Sequence, residues 1–384
     1  MDLTRVFELI DQRRERYYDL LEEVCNLESG SSDFDGVRRV NKALCDFALE
    51  RGFSVKVVEY ENAGACSLIS MNDEADQPAL LLSGHMDTVY DRGLFGYPPC
   101  RREGDILYGP GTSDCKGGIL VALLAMDALK SAGYTERPVR LFLQCDEEVG
   151  SRYSAGQSIQ WMIDEAKRCA AFLNCESGHP GKITLRRCGI LKMIIAVHGK
   201  AAHAKDYFTG ASAVVEAASK ILRLHKKGEP GGVSYNCTLD APKIASNIVP
   251  ERCDIVIDIR IASMKQAEEA SAFVHTVAKE CSISGTSGEV IYEDMRPPME
   301  WSERNQALFD KINRICAAHG LPTYEPNFSG GGSDAADVSV AGVPCVDSLG
   351  IEGAEYHTIN EYCRLSSMEE RARMLAAVCV DFDN

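Results

Sequence analysis

Residues 79–89 read Ala79-Leu80-Leu81-Leu82-Ser83-Gly84-His85-Met86-Asp87-Thr88-Val89. An apolar run closed by a glycine, then a histidine and an aspartate one residue apart, reads as a buried strand of parallel type ending in a turn. Where extended backbone continues to Asp87, residues 85 and 87 share a face by the two-residue period of a strand. An imidazole and a carboxylate so placed can form a metal ligand and the group that orients it. The plainer reading is a strand-end histidine hydrogen-bonded to its neighbour. The other strand ends decide between the two.

Composition sets the bounds. At 384 residues the chain is long for one core, so two domains are expected. An apolar fraction of 45% with 26% charged residues is ordinary for a globular protein. The net charge of −16 argues against nucleic acid as a partner, since that requires a basic face. The longest apolar run, Ile119 to Met126, is far short of a membrane span, so no membrane partner is expected. Met1 to Phe7 has neither the basic nor the apolar region of a signal peptide. The 16 cysteines include no Cys-x-x-Cys, which disfavours a thiolate zinc knuckle. Scattered thiols without an export signal point to a reducing cytoplasm, with most of them buried as small residues.

Along the chain, helical spacing covers Val6 to Leu27 and about Asp35 to Arg51, the second ending at Gly52. Phe53 to Tyr60, Ala65 to Met71 and Ala79 to Leu82 read as strands. Gly117-Gly118 opens an apolar helix, Ile119 to Ser131. Val139 to Cys145 is a strand, Ile159 to Cys169 a helix and Ala170 to Cys175 a strand. This alternation means an α/β fold with a mostly parallel-stranded mixed sheet flanked by helices. After about Lys182 the order becomes strand (Gly189 to Gly199), helix (Gly210 to Lys226), strand material around Pro250 (Ala245 to Ile261), helix (Ser263 to Cys281) and strand (Glu289 to Glu293). That fits an inserted α+β sandwich. Helix–strand alternation resumes at Asn305. The expected division is a catalytic domain over 1–182 and 297–384, interrupted by a smaller domain over 183–296.

Five acidic or histidine sites fall at predicted strand ends or in polar loops: His85 with Asp87, Asp114, Glu147-Glu148, Glu176 and His357. In open α/β sheets ligands collect beyond the carboxyl ends of the strands. Two histidines and three carboxylates suit a divalent ion such as zinc or manganese, and the charge suits a pair of ions sharing a carboxylate. Of Glu147 and Glu148, one can bind metal while the other moves a proton. Gly330-Gly331-Gly332 is no phosphate cradle, because the Gly-x4-Gly-Lys-Ser/Thr pattern is absent. It reads as a loop whose amides approach substrate closely, with Gly331 and Ser333 as substrate-binding residues.

Gly84-His85-Met86-Asp87-Thr88-Val89, Asp114-Cys115-Lys116-Gly117-Gly118, Asp146-Glu147-Glu148-Val149-Gly150, Ser329 to Ala336 and Tyr356-His357 occur in this order. Together they closely resemble the M20 family of dizinc aminoacyl peptidases and deacylases, over nearly the whole chain. The Gly-Gly-Gly-Ser-Asp-Ala-Ala loop and Met295-Arg296-Pro297-Pro298 resemble its glutamate carboxypeptidase (carboxypeptidase G2-like) branch. The resemblance implies the zinc-exopeptidase type of sheet, with a lid and dimerisation domain inserted. It implies two Zn2+, with Mn2+ or Co2+ as alternatives, and Asp114 as the bridging ligand. His85 and Glu176 would complete one site, Glu148 and His357 the other. Asp87 would orient His85, Glu147 would be the general base, and the Asp114–Cys115 peptide would be cis. Methionine is usual where Cys115 stands; the thiol is expected to pack, with oxidation near zinc the alternative.

His203 matches the lid histidine that reaches the partner subunit's site and steadies the oxyanion. Asn247, Arg260 and Arg296 match positions that hold the substrate's terminal carboxylate or side chain, a task suited to a forked guanidinium. The alternative for Arg260 is an ion pair with Asp258 or Glu251, and for Arg296 a place at the domain boundary. Lys205-Asp206-Tyr207-Phe208 departs from the smaller residues usual after the lid histidine. The expected activity is zinc-dependent removal of a C-terminal amino acid, an acidic one favoured, from a short peptide or N-acyl amino acid by a homodimer. The alternatives are an N-acyl amino acid deacylase (deacetylase or desuccinylase) and a metal-bearing homologue that only binds its ligand.

Overall fold

The computed structural model describes residues 1–241 and 245–383. The chain divides into two compact units, one of Met1–Leu185, Trp301–Phe328 and Ser333–Asn384, the other of Arg186–Glu300 with Ser329–Gly332. The borders thus fall at 185/186 and 300/301, where the sequence places them at 182/183 and 296/297. Ser329–Gly332 joins the inserted unit because Cys188 donates its N–H to the Ser329 carbonyl (3.0 Å) and the Arg187 guanidinium reaches the carbonyls of Gly331 (3.4 Å) and Gly332 (3.3 Å).

The first unit is built on a six-stranded sheet ordered Ser54–Tyr60, Gly64–Met71, Val139–Gln144, Ala79–His85, Cys169–Asn174, Cys345–Val346. The first two pairings are antiparallel and the other three parallel, the mixed sheet expected of the alternating pattern. Ala79–His85 has a parallel neighbour on each side and is buried along its whole length, which is why it reads as an unbroken apolar run. Helix Lys116–Ser131 is buried from Lys116 through Leu129. A helix apolar on every face belongs inside a core rather than over one.

That helix comes unusually close to the sheet. A β-carbon on Gly118 would stand 1.7 Å from the Cys175 carbonyl oxygen, and one on Gly117 would stand 2.2 Å from the Thr112 carbonyl oxygen. The paired glycines are therefore required by close approach, not by a turn. The approach brings the segment ending in Asp114 to the carboxyl end of strand Cys169–Asn174, where Glu176 follows.

The second unit is an antiparallel sheet ordered Ser234–Asp240, Arg252–Ile261, Gly189–His198, Ser287–Arg296. Leu191, Met193, Ile195 and Val197 alternate with outward residues, as do Ile255, Ile257, Ile259 and Ile261, and these inward sets share a core with Ala217, Leu224, Val274 and Val277. The last four come from helices Ala213–Lys227 and Met264–Lys279. Buried Lys220 joins those helices by donating to the carbonyls of Val277 (2.8 Å), Ala278 (3.1 Å) and Glu280 (2.7 Å), and it pairs with Glu216 at 3.1 Å. A buried ammonium is tolerated because those acceptors saturate it.

Two expectations need correction. Of the stretch Ala245 to Ile261 only Arg252–Ile261 is a strand; Pro250 has no N–H for a ladder. Ser234–Asp240 is a mostly exposed edge strand that the sequence reading passes over, although Tyr235, Cys237 and Leu239 alternate with polar residues along it.

Gly118→Ala is expected to destabilise the protein by at least about 3 kcal/mol, the upper end of what overpacking costs, because the obstructing atom is backbone. Thermal unfolding checks this; a melting temperature equal to the parent's would contradict the close approach.

Candidate metal centre

His85 is the last residue of strand Ala79–His85, and its ring is buried. Its Nδ1 lies 3.0 Å from the Asp87 carbonyl oxygen and 3.5 Å from Asp87 Oδ1. With Nδ1 donating to that carbonyl, Nε2 presents the lone pair that a cation needs. Nε2 faces Asp114 Oδ1 at 3.0 Å and Glu176 Oε1 at 3.4 Å. On the other side of Asp114, its Oδ2 lies 3.4 Å from His357 Nε2, and that nitrogen is 3.3 Å from Glu148 Oε2. Each oxygen of Asp114 thus meets a different histidine.

Asp87 does more than orient a ring. Its buried carboxylate accepts the Ser31 hydroxyl at 2.8 Å and the N–H groups of Glu147 at 3.0 Å and Glu148 at 3.2 Å. One side chain thereby ties the end of the central strand to the 3-10 turn Glu147–Val149. Buried Asp146 anchors that turn from behind, accepting the Ser158 hydroxyl at 2.6 Å and the Ser154 N–H at 2.8 Å. Glu147 is itself buried. His357 has its backbone in the left-handed region, with φ of 62°, which a non-glycine residue adopts rarely and most often at functional sites.

The charges respond to one another. Burial would raise the Asp114 carboxyl, but hydrogen bonds from His357 and His85 prevail and hold it well below the usual carboxylate range. Burial, then the Asp114 charge, pushes Glu148 up to about 8. Hydrogen bonds to Asp114 and Glu148 push His357 up to about 10. Burial opposes a charged His85, yet Cys115, Glu176, Asp114 and Asp87 around it carry its pKa well above the ordinary value. A cluster in which carboxylates hold protons on imidazoles is one where cations can take the protons' place.

The donors fit a metal. Ligand atoms of His85, Asp114 and Glu148 all lie within 4.8 Å of one another, as do those of His85, Cys115 and Glu176. Histidine nitrogen and carboxylate oxygen are the ligand types of zinc and manganese sites. All five expected ligands are brought together in the first unit. The Asp114–Cys115 peptide is cis, as the resemblance implies. Cys115 is fully buried; its Sγ accepts the His85 N–H at 3.2 Å and lies 3.7 Å from the Cys175 carbonyl oxygen.

The expected substrate residues lie elsewhere. Ser333 is buried: its hydroxyl donates to Asp347 and caps helix Asp334–Val340 by accepting the Ala335 N–H at 3.2 Å. Its hydroxyl is thus engaged at the start of that helix. In the second unit, Arg260 pairs with Asp258, Nε donating to Oδ1 at 2.7 Å, and its Nη1 donates to the Gly330 carbonyl at 3.3 Å. The ion pair named as its alternative is therefore present. Gly331 gives its carbonyl to Arg187 at 3.4 Å, and a β-carbon on Gly332 would stand 3.0 Å from Arg296 Cδ. His203 is exposed and accepts the Lys205 N–H at Nδ1 (3.2 Å), while Ala204 donates to the Asn247 carbonyl at 2.8 Å. Two residues go unnoticed in the sequence: Ser31, inside a Ser-Gly-Ser-Ser run that reads as a helix stop, and Glu361, one acid among many.

Residues 81–381 match the model of peptidase family M20/M25/M40. Carboxypeptidase G2 of Pseudomonas sp. strain RS-16 is 30% identical over 370 residues, covering 94% of this chain and 88% of that protein. A succinyl-diaminopimelate desuccinylase of Rhodopseudomonas palustris is 24% identical over 351 residues, with 83% and 87% covered. Among solved structures, the dinuclear metal-binding M20 peptidase YXEP of Bacillus subtilis superposes with a TM-score of 0.70 at 13% identity, covering 97% of this chain and 99% of that one. That likeness speaks for the fold. With the motif order, the sheet and the match over most of its length in agreement, the chain belongs to peptidase family M20/M25/M40, a metallopeptidase family, and is a hydrolase.

Proposed function

We propose that this hydrolase is an exopeptidase that cleaves the amide bond to a C-terminal amino acid, an acidic one preferred, of a short peptide or N-acyl amino acid, with two zinc ions. The observation that carries the reading is Asp114, whose Oδ1 faces His85 at 3.0 Å and whose Oδ2 faces His357 at 3.4 Å. A carboxylate that addresses a different imidazole with each oxygen is arranged to bridge. His85 and Glu176 would complete one set of ligands, Glu148 and His357 the other. When bound, such ions supply Lewis acidity, making water a better nucleophile and polarising the scissile carbonyl. Glu147, its N–H held by Asp87, takes the proton of the attacking water and delivers it to the leaving amine.

For the substrate's carboxylate we assign Arg296 and Gly331, with Arg260 steadying the glycine loop from its pair with Asp258. His203 and Asn247 lie near the His198 end of strand Gly189–His198, whereas Arg260 and Arg296 pair with Ile190 at its start. Eight residues of strand are about 26 Å. The family resemblance supports a homodimer in which His203 and Asn247 serve the partner's centre. The desuccinylase relative favours a second reading, hydrolysis of an N-acyl amino acid by the same chemistry.

In a panel of dipeptides, N-acyl glutamates and N-succinyl amino acids, zinc-loaded parent protein is expected to prefer an acidic leaving residue. Preference for succinyl amides without regard to that residue would favour the second reading. Glu147→Gln is expected to lose about 100-fold or more of kcat while keeping its metal; an undiminished rate would remove Glu147 as the base. Zinc uptake at pH 7 should release at least about one proton, since Glu148 near 8 and His357 near 10 are protonated beforehand. Calorimetry in buffers of different ionisation enthalpy measures this, and the release should shrink as pH rises through those values. A heat at pH 7 that is the same in every buffer would contradict it.

A further inference from the structure

Glu361 has no part in the assignments above, yet its side chain is completely buried. Its Oε1 accepts the N–H groups of Ser113 and Asp114, both at 3.0 Å, and its Oε2 accepts the Gly111 N–H at 3.1 Å. Its backbone carbonyl accepts the Gly109 N–H at 3.1 Å, and its own N–H donates to the Thr358 carbonyl at 3.2 Å. Thr358 follows His357. The Tyr90 hydroxyl donates to the same Thr358 carbonyl at 3.0 Å. Just beyond, strands Ile106–Tyr108 and Tyr362–Arg364 pair antiparallel, with Tyr108 opposite Tyr362. Glu361 therefore stands where the segment carrying Asp114 and the segment carrying His357 are clasped together.

A buried carboxylate is costly unless its lone pairs are occupied, and here three backbone donors from one short loop occupy them. Each of those contacts comes from a donor, so the position calls for a group that only accepts. Glutamine would turn an NH2 toward at least one N–H. This arrangement exceeds what joining two loops requires, since the paired strands already do that.

We propose that Glu361 is the positioning residue of the dinuclear centre: by gripping the backbone of Gly111, Ser113 and Asp114 it sets where the Asp114 carboxylate stands relative to His357, and hence the fit of the second ion. The inference rests on the two-ion reading of the site. It assigns Glu361 no contact with substrate or metal.

The test uses full-length Glu361→Gln and Glu361→Asp beside the parent, each titrated with Co2+ against a chromophoric chelator. Visible spectra, metal-free melting curves and kinetics on the parent's best substrate accompany the titration. In E361Q the second ion should bind about 10–100-fold more weakly, as outer-shell changes do, with an altered cobalt spectrum and kcat falling more than KM. E361D, which keeps the carboxylate but withdraws it by one methylene, should recover part of the affinity and still differ from the parent. E361Q binding two ions with the parent's affinities and spectrum would overturn the proposal, whatever its melting temperature. If E361Q does not fold, E361D decides: a several-fold weaker second ion supports the assignment, and parental affinity with a parental spectrum overturns it. A parent that binds two ions yet cleaves nothing in the panel refutes the exopeptidase reading and leaves this binding test intact. A parent that takes up only one ion refutes the dinuclear reading and this inference with it.

Discussion

The candidate metal centre depends on how closely one helix can approach one strand. Helix Lys116–Ser131 begins against the end of strand Cys169–Asn174, and a single β-carbon at Gly118 would fall 1.7 Å from a carbonyl oxygen there. Without that approach, Asp114 and Glu176 would not both reach the His85 imidazole. The helix is buried along nearly its whole length, so it cannot tilt outward to relieve a clash without opening the core. Packing density and the donor geometry are therefore one constraint.

Around this contact the protein collects negative charge and then manages it. Asp87 is buried and surrounded by donors from Ser31, Glu147 and Glu148, so its charge is held by hydrogen bonds. Asp114 is held by two imidazoles, and Glu361 by three backbone N–H groups. Burial, then the Asp114 charge, nonetheless pushes the Glu361 carboxyl up to about 7 and that of Glu148 up to about 8. The raised Glu148, which faces the centre, is consistent with a site completed by cations.

The second unit follows different rules. Its sheet is antiparallel, with one face packed on two helices, and alternation every second residue shows which face that is. Lys220 and Glu216, buried between the helices, terminate helix Met264–Lys279 and shape the turn after it. A buried ion pair is thus no signature of a site. What distinguishes the centre of the first unit is convergence from separate elements.

Much of this could be read from the chain itself. Local pattern determined the apolar strand before His85, the buried helix after Gly118, and the change to strict alternation beyond Lys182, because burial on two faces, on all faces and on one face leaves different periodicities. Motif order pointed to the five acidic and histidine side chains that the structure brings together. Other features were beyond reach. The edge strand Ser234–Asp240 offers only three alternating apolar residues, Tyr235, Cys237 and Leu239, and Ser333 looked like a loop residue although its hydroxyl is committed to Asp347. Ser31 and Glu361 act through partners far away in sequence, so no local pattern could identify them. The sequence by itself determined which residue types the site would use and on which strand ends they would stand. Only the tertiary structure decided which oxygen meets which imidazole, and which buried acid holds the loop that carries Asp114, because those relations depend on distances between segments that periodicity and composition do not encode.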